Sequence, residues 1–242
     1  MPKRKEEEFI KGIYKDSEEE LKEVYKDQKK NRDKILSYIA EIMLSYKIVD
    51  SIMELSNKEY SKEYKKITKV ISAIFNSSIK SEQSKIQNIL KNTAKKMDNH
   101  YDNSFSKKDM LKLVDQSFKG KHFSERVWEN ERAVAKKIQN EIKKFLKGEI
   151  NVNKIKSNIV KQFNSNAYNT RRLVDTEISR IINQIQDIKF KEMDVKRVRY
   201  NAILDIGTCE ECASYHGKIF DVNKKPMLPQ HPNCSCFYEI EE

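Results

Sequence analysis

All four cysteines of this 242-residue chain fall between Cys209 and Cys236. Cys209-x-x-Cys212 is followed by His231-Pro232-Asn233-Cys234-Ser235-Cys236, and His231 is one of only four histidines. Two thiolates on a tight knuckle, a loop and a second ligand pair are the pieces from which zinc sites are built. Thiolate and neutral imidazole favour zinc among the available divalent metals, and four such ligands close a tetrahedron. The plain alternative is that these are small buried hydrophobes, as free cysteines often are. Clustering as a CxxC and a CxC, with no cysteine elsewhere, argues for metal. Cys209 and Cys212 are the firmest ligands. Among His231, Cys234 and Cys236 the sequence does not choose. Alternate residues of a strand point the same way, so Cys234 and Cys236 can ligate together. His231 would then fix the loop. A closed four-ligand site leaves no position for substrate, which makes the zinc structural.

The rest of the chain has a different character. It is 35% charged and 38% hydrophobic, with five glycines and four prolines and a mean hydropathy of −0.81. That composition suits long amphipathic helices with solvated faces. Apolar runs are too short to cross a bilayer, and the start, Met1-Pro2-Lys3-Arg4-Lys5-Glu6-Glu7-Glu8, lacks the apolar stretch of a signal peptide. A reducing cytoplasm is expected, where clustered cysteines hold metal rather than form disulfides. The formal charge of +11 implies attraction to polyanions, nucleic acid first among them. The excess lies between about Lys107 and Arg199. Any single lysine run reads equally well as a solvated helix face.

Periodicity divides the chain. Phe9, Ile13, Leu21 and Val24 mark a solvated helical arm, and Ile35, Ile39, Ile42, Met43, Tyr46, Val49 and Met53 a stronger stripe. Ile67, Ile71 and Ile74, then Ile86, Ile89, Leu90, Ala94 and Met97, continue the pattern, with breaks or caps expected at Ser56-Asn57 and Ser77-Ser78. Residues 98–104 read as a loop, Ser106 as a helix cap, and Ser124 as the cap of a helix ended by Gly148. Trp128 is expected in the core, and His100 and His122 at the surface. A short helix over 155–163 and a long one over 173–188 follow. The period then changes to that of strands, at 195–204, 218–222 and 236–240. His216 reads as a turn residue before the second of these, with Gly217 at positive φ. The expected divisions are an N-terminal helical arm or bundle (1–100), a basic helical region (101–165) and a domain with the metal-stapled β-unit (166–242).

Signals for catalysis are weak. Cys–His catalysis needs one activated thiolate and an oriented base, and these thiols are grouped as ligands. There is no P-loop and no dinucleotide-binding glycine pattern.

The run Arg171-Arg172-Leu173-Val174-Asp175-Thr176-Glu177-Ile178-Ser179-Arg180, with Asn183 beyond it, resembles the R-x-x-x-x-TE-x-x-R-x-x-N helix of the tailed-phage minor head (head morphogenesis) proteins, the Mu F-like family. In that family a strand, D-x-RTC-x-x-C, a DGK-x-F strand and HP-x-CRC follow. This chain supplies Asp205-Ile206-Gly207-Thr208-Cys209-Glu210-Glu211-Cys212, then His216-Gly217-Lys218-Ile219-Phe220, then His231 to Cys236, in that order. Gly207, Ser235 and His216 stand where the family has Arg, Arg and Asp. The resemblance covers about Tyr168 to Tyr238. It implies a minor capsid component that associates with the portal vertex during procapsid assembly and accompanies or contacts DNA in the head.

The expected fold is therefore mainly α: an elongated helical region followed by a small C-terminal zinc-stapled antiparallel β-unit. The expected function is structural and not enzymatic, in the virion and, during assembly, the host bacterial cytoplasm. Expected partners are the portal protein, capsid or scaffold proteins, and double-stranded DNA without sequence preference, with no membrane. Arg171, Arg172, Lys196, Arg197 and Arg199 are the candidate phosphate or acidic-partner contacts. The alternatives are a free-standing zinc-ribbon nucleic-acid-binding protein and a metal-dependent nuclease or toxin. The nuclease reading lacks the His-His pair of an HNH site.

Overall fold

The computed structural model describes residues 3–102, 105–204 and 208–241. Asn103 and Ser104 of the expected loop, and Asp205, Ile206 and Gly207 of the family motif, lie outside them. The described residues are mainly helical, with a small antiparallel sheet near the C-terminus. The helices are α1 (Lys3–Ser45), α2 (Asn57–His100), α3 (Lys107–Val114), α4 (Phe123–Leu146), α5 (Val152–Glu192) and α6 (Glu210–Tyr215). The strands are β1 (Ile48–Val49), β2 (Ile52–Met53), β3 (Arg197–Asn201), β4 (Ile219–Asp221) and β5 (Phe237–Glu241). Among the described residues no helix is long and apolar enough to cross a membrane.

The chain forms two compact units, each assembled from separated stretches. One comprises Lys22–Ser84 and Ser124–Thr170 and is here called the helical unit. Its core follows from the isoleucine stripes. Ile35, Ile39 and Ile42 of α1, Ile67 and Ile71 of α2, Ile138 and Ile142 of α4 and Ile155 and Ile159 of α5 are all at most 3% exposed. Their three- and four-residue spacing places each set on one helix face, and each buried isoleucine contributes about 1.5–3 kcal/mol relative to an exposed one. Ser56 caps α2: its backbone N–H and hydroxyl both donate to the Glu59 carboxylate (2.8 and 2.6 Å). Gly148 ends α4 at φ +71°, as the sequence predicts.

The other unit comprises Met1–Leu21, Lys85–Phe123 and Arg171–Glu242 and is here called the sheet unit. Strand β3 lies at the centre of the order β4-β3-β5, antiparallel to both neighbours. Val198 and Tyr200 of β3 pack with Phe190, Cys212, Leu228 and Tyr238 into its core. Ser106 caps α3, its side chain accepting from the Asp109 N–H.

Several local expectations are corrected. Ser77-Ser78 is no break, since α2 runs through it with Ser78 buried. The helices expected at 155–163 and 173–188 are one, α5. The polar stretch between them stays helical because Asn166 is buried and donates to Glu131 at 2.6 Å. Val49 and Met53, taken as helical, form the β1–β2 hairpin, whose turn residues Asp50 and Ser51 have φ of +48° and +65°. Positive φ at both central residues matches the twist of a two-residue hairpin. Helix α4 starts at Phe123, one residue before the expected Ser124 cap. Trp128 is not core: it is 49% exposed, with the Arg132 guanidinium 5.4 Å from its ring centroid. His100 is not a free surface residue. It stacks on Phe9 at 3.8 Å, and its Nε2 lies 2.7 Å from the Glu6 carboxylate.

Candidate metal centre and its supporting helix

The Cys knuckle is a helix start. Cys209 has extended backbone (φ −74°, ψ 159°) and is the N-cap of α6, its Sγ accepting from the Cys212 N–H at 3.4 Å. One turn of α6 carries Cys212 inward, to 1% exposure. The segment Gln230–Cys236 then returns past the knuckle, and Cys236 leads directly into β5.

This path brings all five candidate ligands to one cavity of about 30 Å³, lined also by Ile203, Thr208, Asn233 and Ser235. His231 Nε2 lies 3.2 Å from Cys209 Sγ and 3.3 Å from Cys212 Sγ, and Cys212 Sγ lies 3.9 Å from Cys234 Sγ. With metal–sulfur bonds of about 2.3 Å and metal–nitrogen bonds of about 2.0 Å, the edges of a tetrahedron are about 3.8 Å for S···S and about 3.5 Å for S···N. The observed separations are close to these values. Two sets of donor atoms converge, Cys209–Cys212–His231 and Cys212–Cys234–Cys236, with Cys212 common to both. The donors fit a metal ion.

His231 therefore faces the thiols. Its Nδ1 lies 2.9 Å from the Pro232 carbonyl, so Nδ1 carries the proton and donates to that oxygen. This leaves the Nε2 lone pair directed at Cys209 and Cys212, the tautomer a metal ligand requires. His216 is a turn residue, as expected. Its Nδ1 accepts from the Ala202 N–H at 3.2 Å, and Gly217 has φ +78°.

The thiols are electrostatically unequal. The Cys212 N–H bonded to its sulfur holds Cys209 below the usual thiol range, with His231 adding to the effect. Burial pushes Cys212 up. Cys234 is lowered by its hydrogen bond with Cys236, which is raised by the same bond and by burial. The group thus holds both a ready thiolate and thiols that a cation would have to deprotonate. Tyr200 is fully buried behind it and donates to Cys212 Sγ at 3.3 Å.

Helix α5 fixes the centre from behind. Thr176 accepts from the Asn233 N–H at 2.8 Å and donates to the Arg172 carbonyl. Asn183 donates to the Cys236 carbonyl at 3.1 Å. Gln186 makes a two-way amide bond with the backbone of Tyr238, donating to its carbonyl at 2.8 Å and accepting from its N–H at 3.2 Å. Arg180 Nε meets Glu177 at 2.7 Å, with both side chains at most 3% exposed. Arg180 Nη1 donates to the Leu113 carbonyl at 2.7 Å, at the end of α3. Thr176, Arg180 and Asn183, with spacings of four and three, lie on one face of the helix. The polar motif is a docking spine. Gln186 continues it one turn further, a role sequence reasoning missed although the three-residue spacing from Asn183 signals it.

The candidate contact residues are not brought to one place of one character. Arg171 and Arg172 are exposed on α5, with Arg171 between Glu18 (3.4 Å) and Asp175 (3.5 Å). Lys196 and Arg197 are exposed at the start of β3, and Lys196 pairs with Asp194. Arg199 is held by Glu241 through two nitrogens and by the Gly217 carbonyl, so its guanidinium is engaged within the sheet.

No curated protein and no solved structure is significantly similar to the chain. Residues 136–239 match the family model described as Phage Mu protein F like protein. The matched segment contains the α5 spine and the complete Cys/His centre. Over residues 136–239 the chain is thus similar to the Phage Mu protein F like family.

Proposed function

We propose that this protein is a minor head protein of a tailed phage or prophage, docking on the portal during procapsid assembly, with a structural zinc ion in the Cys/His centre. The observation that carries the reading is the coincidence of the matched segment with a closed, soft-donor centre braced by the TE-x-x-R-x-x-N spine. Such a centre offers no open coordination position, so the metal rigidifies the sheet unit and does no chemistry. Zinc is the metal that tetrahedral sulfur and imidazole donors favour. No nuclease activity is expected with Mg²⁺ or Mn²⁺.

DNA contact is the finer part of the proposal. The charge of +11 supports it, as do the exposed Arg172, Lys196 and Arg197. Arg199 is withdrawn from the set on account of its pairing with Glu241. Binding should be indifferent to sequence. Its log–log salt slope should fall by about one unit per phosphate contact when Lys196 and Arg197 are neutralised.

Co-expression of the full chain with the portal protein of the same phage or prophage tests docking. Co-purification as a defined complex is expected. A free protein that binds DNA but not portal would instead support the stand-alone nucleic-acid binder. Removing the first 150 residues is not a usable dissection, because the sheet unit includes Met1–Leu21 and Lys85–Phe123.

A further inference from the structure

The helical unit buries two carboxyl groups side by side. Glu82 of α2 is 4% exposed and Glu131 of α4 is 1% exposed, and burial together with the charge of Glu131 raises the Glu82 carboxyl above the usual carboxylate range. Their hydrogen-bond partners are neutral oxygen- and nitrogen-bearing side chains. Thr170 Oγ1 lies 2.8 Å from Glu82 Oε1, Gln28 Nε2 lies 3.1 Å from Thr170 Oγ1, and Asn166 Nδ2 lies 2.6 Å from Glu131 Oε1. No lysine, arginine or histidine is among these partners, and all four helices of the unit contribute.

Two carboxylates cannot stay ionised together away from water without a positive charge. A shared proton would neutralise one of them. It would leave two further buried atoms unexplained: Gln28 Oε1 and Asn166 Oδ1 have no hydrogen-bond partner. Their side chains are at most 4% exposed. Each amide oxygen shares its carbon with a nitrogen already bonded into the cluster, so these orphaned acceptors belong to the same site. A buried acceptor without a donor is costly. One divalent cation resolves both problems, because it balances two carboxylates and takes oxygen ligands. Half a turn of either amide about its last torsion brings its oxygen inward.

We propose that the helical unit contains an internal site for a hard divalent cation, held by Glu82, Glu131 and the side-chain oxygens of Gln28, Asn166 and Thr170. The all-oxygen donor set selects Ca²⁺, Mg²⁺ or Mn²⁺ over the thiophilic metals suited to the Cys/His centre. The cation joins α1, α2, α4 and α5 at the point where their isoleucine stripes are interrupted by polar residues. The site stands independently of the head-protein reading.

The test uses the full chain, stripped of metal and reloaded with one equivalent of Zn²⁺. Ca²⁺, Mg²⁺ and Mn²⁺ are then each titrated by calorimetry, and thermal unfolding is followed by circular dichroism. To overcome slow entry, the titrations are repeated after refolding in each cation. At least one of the three should bind at one per chain and raise the Tm. Glu131→Gln and Glu82→Gln should each lose that binding and that rise, while their cation-free Tm should be no lower than that of the cation-free wild type. Absence of binding and of any Tm change with all three cations, before and after refolding, would overturn the proposal and leave a proton shared between the two glutamates.

Discussion

Arg180→Ala should be among the most damaging single changes in the sheet unit. The guanidinium makes a buried ion pair with Glu177 at 2.7 Å and donates to the Leu113 carbonyl at 2.7 Å and the Val114 carbonyl at 3.3 Å. Removing it strands a carboxylate that is fully buried and leaves two helix-end carbonyls without that donor. Breaking one side of a buried ion pair costs about 3–5 kcal/mol, a large part of the roughly 5–15 kcal/mol that holds a domain together. In a unit of this size that lowers the Tm by roughly 10 °C or more. Thermal and urea unfolding followed by circular dichroism measure it. The double variant Glu177→Gln/Arg180→Met removes both charges and keeps apolar volume, so it should recover at least half of the loss. A cost below about 1 kcal/mol for Arg180→Ala, or a double variant no more stable than the single one, would refute the view that this motif is a structural spine.

Cys212→Ser should abolish metal loading more completely than Cys209→Ser, because Cys212 belongs to both converging donor sets; zinc content per chain measures this, and most far-UV helical signal should remain. Burial raises the Asp175 carboxyl to about 6, above its unfolded value of about 3.9, so the folded state binds the proton more tightly. Stability should therefore fall as pH rises from about 4 to about 6, by about 2 kcal/mol, and Asp175→Asn should flatten that dependence in urea unfolding across the window. Gly148→Ala places a Cβ at positive φ, 2.8 Å from Ile52 Cγ2 and 3.0 Å from the Met53 carbonyl; a loss of about 1–3 kcal/mol is expected by thermal unfolding.

The isoleucine stripes, the strands around the cysteines, the Gly148 terminus and the convergence of Cys209, Cys212, Cys234 and Cys236 were legible because each rests on local spacing. His231 was harder, since strand alternation explains Cys234 and Cys236 without it. Only the return of the chain past α6 turns its Nε2 onto Cys209 and Cys212. The continuity of α5 was hidden by Asn164-Ser165-Asn166, a weak helical stretch sustained by the tertiary bond from Asn166 to Glu131. The hairpin at 48–53 was hidden because Val49 and Met53 also fit helical spacing. Sequence order could not show that the sheet unit is built from three separated stretches, since that depends on which long helix faces meet.

The central claim, that the chain works in a phage head, is tested most directly by quantitative mass spectrometry of procapsids and virions purified from induced cells carrying the phage or prophage that encodes it. The account predicts that the protein is present in few copies per particle and is recovered with the portal after gentle disassembly. Its absence from both particles, with the protein free in the lysate, would contradict the account.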